Sequence, residues 1–124
     1  TEGDTLATIN RVFREKAYTL DPHTAVGVKV YWDYAKNTGD TTPTVVAATA
    51  SPFKFSHSVC KALFGEEKIA DKSEFELLEM LSKNCGLPVP DALAGLDKKK
   101  IIHETVCEKD GMKDAVIQKL LKWE

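Results

Sequence analysis

The sequence predicts an α/β fold that is rich in helix, with short parallel strands packed by helices. Three observations lead there. Apolar residues recur at intervals of three and four in several separate stretches, which is the period of a helix with one buried face. The run Thr44-Val45-Val46-Ala47-Ala48-Thr49 is small, β-branched and uncharged, as in a strand buried on both faces. A second β-branched stretch, Ile101 to Val106, precedes the last helical pattern. Two strands make a thin sheet for this many helices, so residues outside the chain are expected to complete it.

The first amphipathic pattern, Leu6, Ile9, Val12 and Phe13, has Asp4 as its expected N-cap and charges from Arg14 to Lys16 at its end. Pro22 disfavours helical geometry at Asp21 but suits the first turn of a helix, so Asp21 is expected to cap a second helix running to about Asn37. The turn chemistry of Thr38-Gly39-Asp40 ends it. After the strand and Pro52, Phe55, Val59, Leu63 and Phe64 mark a third helix that stops at Gly65. Phe75, Leu77, Leu78 and Leu81 mark a fourth, capped by Ser73 and closed by Gly86. Leu87-Pro88-Val89-Pro90 reads as a rigid connector, with Asp91 capping a single turn before Gly95. Asp110 is the expected cap of a last helix carrying Met112, Ala115, Val116, Leu120 and Leu121.

At 124 residues, 43% of them hydrophobic and 29% charged, the chain fits one globular domain with its own core. The 17 basic and 19 acidic residues alternate instead of forming a stripe, so neither a nucleic-acid nor an anionic-membrane partner is favoured. No apolar run approaches the roughly 20 residues that span a bilayer, and a cytosolic location is the default expectation. Cys60, Cys85 and Cys107 are odd in number and widely spaced, which argues against a disulfide framework or a zinc site and for reduced, half-buried packing residues. His57 and His103 lack metal-ligand spacing and read as surface or packing residues, Lys98-Lys99-Lys100 as a solvated loop, and Trp32 and Trp123 as apolar anchors. The chain begins at Thr1 and runs directly into a helical pattern, so it is expected to be a segment excised from a longer protein.

Two places concentrate chemistry. Asp21, His23 and Thr24 bring a carboxylate, an imidazole and a hydroxyl into one turn at a helix N-terminus, where backbone N–H groups also converge. Local sequence alone favours the plainer reading, in which Asp21 simply caps the helix, His23 is a polar surface or boundary residue and Thr24 completes the turn. Thr49 ends the expected buried strand, the position at which ligands collect above an open α/β sheet. A neutral hydroxyl there suits an uncharged aromatic nitrogen, where an aspartate would favour the protonated ring. Ser51 and Lys54 follow in the next turn and together offer an anion one cation and the N–H groups of a helix start. A Ser-Pro helix entry beside a solvated lysine is the plainer reading. No Gly-rich phosphate loop, nucleophile elbow or paired-carboxylate constellation is present, so the chain alone finds no support for catalysis.

Asp21-Pro22-His23-Thr24-Ala25-Val26-Gly27 and Ala48-Thr49-Ala50-Ser51-Pro52-Phe53-Lys54-Phe55, in this order and a little over twenty residues apart, resemble two active-site segments of the threonine synthase family. The resemblance continues through Leu93-Ala94-Gly95-Leu96 and Glu108-Lys109-Asp110 to Met112-Lys113 and covers the family's C-terminal region. It implies a helix-rich C-terminal segment, residues 1–124, of a fold type II pyridoxal-phosphate enzyme related to the tryptophan synthase β chain. Such enzymes are lyases of threonine biosynthesis that convert O-phosphohomoserine and water to threonine and phosphate. By the same resemblance Thr49 bonds the pyridine nitrogen of pyridoxal phosphate, and Asp21 and His23 line the mouth of the active site. Thr24, Ser51 and Lys54 join that lining. Many members carry histidine where this chain has Ser51.

The family's Schiff-base lysine and its Gly/Asn-rich cofactor-phosphate loop lie upstream, and no segment here matches either. The isolated chain is therefore expected to be inactive and not to bind the cofactor appreciably, the remainder of the parent chain being its necessary partner. The apolar helix faces that would dock on the parent sheet are expected to be exposed, and self-association to cover them. A stand-alone, non-catalytic binding module that retains the enzyme-like fold is the alternative.

Overall fold

The computed structural model describes residues 1–122, so Trp123, expected to be an apolar anchor, lies outside the described residues. Among the described residues five α-helices follow one another: α1 (Glu2–Lys16), α2 (Pro22–Thr38), α3 (Ser56–Phe64), α4 (Glu74–Cys85) and α5 (Met112–Leu121), with short 3-10 turns between several of them. Among the described residues there is no β-strand. The helix-rich character follows the apolar periodicity; the parallel strands do not appear.

Thr44–Thr49 and Ile101–Val106 carry no regular secondary structure, and instead of being buried on both faces the first is exposed, with Val45 95% accessible. The physical reason is that β-branched residues favour strand geometry, but a strand exists only where its N–H and C=O groups meet a second strand. These two segments do not pair with each other. Val46 has a local contact all the same: its Cγ1 lies 3.6 Å from where a Cβ on Gly27 would stand, so this segment passes beside the second turn of α2.

The helices form where the apolar pattern places them, and their ends are set by caps. At α1 the cap is Thr1, not Asp4: the Thr1 hydroxyl accepts from the Asp4 N–H at 3.2 Å, while the Asp4 carboxylate accepts from Thr1, closing a capping box. Asp4 is thus the third helical residue, where its charge also suits the helix dipole. Ser73 and Glu76 form the equivalent box at α4, and Gly86 closes that helix at φ 65°. Asp110 does not cap α5. It lies in a 3-10 turn, Lys109–Gly111, that runs straight into the helix, and no side-chain hydrogen bond caps either element.

α1 packs against both α2 and α3, and α3 packs against α4. Ile9 and Val12 of α1, Ala25 of α2, Val59 and Cys60 of α3, and Leu77, Leu78 and Leu81 of α4 make the core with Leu20, Phe53 and Ile69 from the connections. The Asn10 amide donates to the Ala62 carbonyl at 2.8 Å, and the Arg11 guanidinium lies 4.2 Å over the Trp32 ring, tying α1 to its neighbours on either side.

α5 has no buried residue, and Met112, Val116, Leu120 and Leu121 are exposed. On α2, Val26, Val30 and Tyr34 stand four residues apart and are 50%, 62% and 51% accessible, forming an outward apolar stripe. Exposed apolar helix faces were expected, and both are present. The cysteines are free: Cys60 is fully buried, Cys85 half-buried and Cys107 exposed, so the expected half-burial holds for Cys85 alone, Cys60 lying in the core and Cys107 in the segment ahead of α5. No helix among the described residues is long and apolar enough to cross a membrane.

Candidate functional site

Asp21 begins the site. Its backbone is extended and Pro22 starts the helix, so the carboxylate folds back over the first turn of α2. One oxygen, Oδ1, accepts from the N–H groups of His23 at 2.9 Å and Thr24 at 3.2 Å, and the Thr24 hydroxyl donates to Oδ2. His23 Nδ1 lies 3.3 Å from Oδ1. The Asp21 residue is only 2% accessible. Burial by itself pushes the carboxyl upward, but the Thr24 hydroxyl, the two backbone N–H groups and the His23 ring outweigh it and hold Asp21 below the ordinary aspartate range. A fixed, negatively charged oxygen pair therefore sits beside the His23 ring.

The second motif reaches the first through Phe55. The His23 ring meets the Phe55 ring at a centroid separation of 4.9 Å and an angle of 58°. With Val46 against Gly27 and Phe55 against His23, the segment between them runs along the N-terminal half of α2, and Thr49 and Ser51 lie on it. The Ser51 hydroxyl accepts from the Phe53 N–H at 3.3 Å and caps the 3-10 turn Pro52–Phe55. Phe53 enters the core. The Lys54 side chain is exposed and lines a small cavity of about 170 Å³, with Phe53 and Ser56 on its own side and Glu74, Phe75 and Leu78 of α4 opposite. Thr49 is exposed, and no hydrogen bond involves its hydroxyl among the described residues.

The structure thus joins Asp21, His23 and Thr24 in one bonded cluster and sets Ser51 in the adjoining turn. Lys54 faces the α4 side of that turn, and Thr49 stands ahead of it, its hydroxyl without a hydrogen bond among the described residues. A larger hollow, about 710 Å³, is elsewhere, between residues 102–107 and α5, and no residue of either motif lines it. Two contacts escaped sequence reasoning. Phe55 is half-buried against the core, as its helical spacing predicts, but its ring also meets His23 across thirty-two residues, which that spacing does not announce. The Ser56 hydroxyl donates to Glu74 at 2.6 Å across eighteen residues, which no local pattern announces.

The threonine synthase C-terminal family model matches residues 24–116, and the chain belongs to that family. Thr24, Thr49, Ser51 and Lys54 fall inside the matched region; Asp21 and His23 immediately precede it. Among known proteins, threonine synthase-like 1 of Macaca fascicularis and of Homo sapiens are each 36% identical over 110 residues, covering 88% of this chain. A threonine synthase of Pseudomonas aeruginosa is 32% identical over 87 residues, covering 70% of this chain. The chain spans 14% of the length of the first two relatives and 18% of the third.

Proposed function

We propose that this chain is the C-terminal part of a threonine synthase, a pyridoxal-phosphate-dependent lyase of the cytosol whose whole chain converts O-phosphohomoserine and water to threonine and phosphate. The family match over residues 24–116 is the observation that carries the reading, and the contact of His23 with Phe55, which joins the two motifs, supports it. The residues present fit one end of the cofactor. Thr49 offers a hydroxyl that no other described group engages, and a neutral donor is what an unprotonated pyridine nitrogen accepts. Residues able to hold the cofactor's aldehyde carbon and phosphate are expected in the remainder of the parent chain.

When bound, pyridoxal phosphate supplies an electron sink for charge that develops on the substrate. This chain's residues serve it from the side. The Thr49 hydroxyl would hold the ring nitrogen by a hydrogen bond without giving it a full proton. Asp21, kept ionised, orients the His23 ring, whose Nε2 stands at the mouth to take or return a proton. Phe55 packs against the imidazole from one side. Ser51 shapes the turn through its bond to Phe53, and Lys54 adds a positive charge nearby for the anionic substrate.

The test compares phosphate release from O-phosphohomoserine by the full-length chain, by its Thr49→Ala variant in the present numbering, and by residues 1–124 alone. A loss of about 100-fold or more in the variant and no turnover by the isolated chain are expected. Full activity in Thr49→Ala would remove Thr49 from the cofactor site.

A further inference from the structure

We propose that Glu74 is a positioning residue for the cofactor-facing turn, acting through Ser56; this rests on the functional reading above. Ser56 is the first residue of α3 and directly follows the turn Pro52–Phe55. Its side chain is almost wholly buried, and its hydroxyl donates to Glu74 Oε2 at 2.6 Å. Glu74 is the first residue of α4, whose own N-terminus is fixed independently by the Ser73–Glu76 capping box. The acceptor is thus anchored by a helix that contains none of the motif residues.

The turn between them is held at three further points: the Ser51 cap on Phe53, Phe53 in the core, and Phe55 against His23. Among the described residues, the bond to Glu74 is the side-chain hydrogen bond that ties the end of the turn to another helix. It lies against the same small cavity as Lys54, yet Glu74 and Lys54 form no ion pair among the described residues, so the carboxylate's polar partner there is the Ser56 hydroxyl. Removing the bond frees the turn to rotate about its apolar anchors. Ser51 and the chain leading back to Thr49 would then lose their fixed place, although neither residue touches Glu74. Glu74 itself is exposed, so the scale of the effect is that of one ordinary hydrogen bond and not of its charge.

The experiment uses the full-length chain loaded with pyridoxal phosphate and follows the cofactor's absorbance spectrum and dissociation constant, at a temperature below the unfolding transition of every variant. Glu74→Ala and Ser56→Ala are each expected to weaken cofactor retention by roughly five- to tenfold and to shift the absorbance spectrum. The double variant is expected to lose no more than either single one, because both remove the same bond. Glu74→Gln, which keeps an acceptor for the Ser56 hydroxyl, is expected to stay within twofold of wild type. It also keeps the idea testable if the alanine variant does not fold. An unchanged spectrum and affinity in Glu74→Ala, additive losses in the double variant, or a glutamine variant as weak as alanine would each overturn the proposal. A wild-type chain that shows no bound-cofactor spectrum would instead overturn the functional reading, and this inference with it.

Discussion

Asp21 does three jobs with two oxygens: it caps α2, bonds Thr24 and aligns His23. Asp21→Ala should therefore cost about 1 to 2 kcal/mol of stability at pH 7. Because the folded carboxyl is held below its ordinary value, its stabilisation is complete above the unfolded value near 3.8 and is lost as the pH falls through the lower folded one. Urea unfolding of wild type and variant should accordingly converge below about pH 4; a gap that stays constant into strong acid would mean that the carboxylate contributes nothing as a charge. The cysteines make a second residue-scale prediction. Burial, with the neighbouring Cys85 and Glu74, pushes the Cys60 thiol up to about 11, and its Sγ also bonds the Leu77 carbonyl. A thiol reagent at neutral pH should label the exposed Cys107 first and Cys60 only on unfolding. Equal labelling rates for the two would contradict this burial pattern.

Helix ends separate what the sequence reveals from what it hides. Asp21-Pro22, Ser73 with Glu76, and the glycines at 39, 65 and 86 were all readable because each signal is local: a side chain bonds an N–H two or three residues away, or a residue without Cβ takes a positive φ. The end of α1 carries no such signal. Ala17 adopts φ 54° there, a left-handed conformation that a Cβ resists. Ala17→Gly should raise stability by roughly 0.5 to 1 kcal/mol, read as a higher urea midpoint with an unchanged slope; a lower midpoint would mean that the Ala17 methyl packs more than it strains. The two expected strands mark the limit of local reading. Val45-Val46 and Ile101-Ile102 have strand composition, but strand formation is a property of a pair, and composition cannot supply the partner. Thr49 inherits that limit: its motif was legible, and its placement beside α2 depended on the Val46 and Phe55 contacts, which were not.

At the scale of the molecule, α1 to α4 share a core while α5 and the stripe on α2 leave apolar side chains exposed. Apolar surface of that kind is covered by a partner or by association. The isolated chain is expected to self-associate with rising concentration in sedimentation, and Val30→Lys to weaken that association without lowering the unfolding free energy by more than about 0.5 kcal/mol, because Val30 lies outside the core. A strict monomer at high concentration would show that these faces need no cover.

The whole-chain reading stands or falls on chemistry that residues 1–124 are proposed to support from one side. The most direct measurement is phosphate and threonine formation from O-phosphohomoserine by the full-length chain with pyridoxal phosphate bound. Equimolar release of the two products is the predicted result. A chain that holds the cofactor yet releases neither product would contradict the threonine synthase reading.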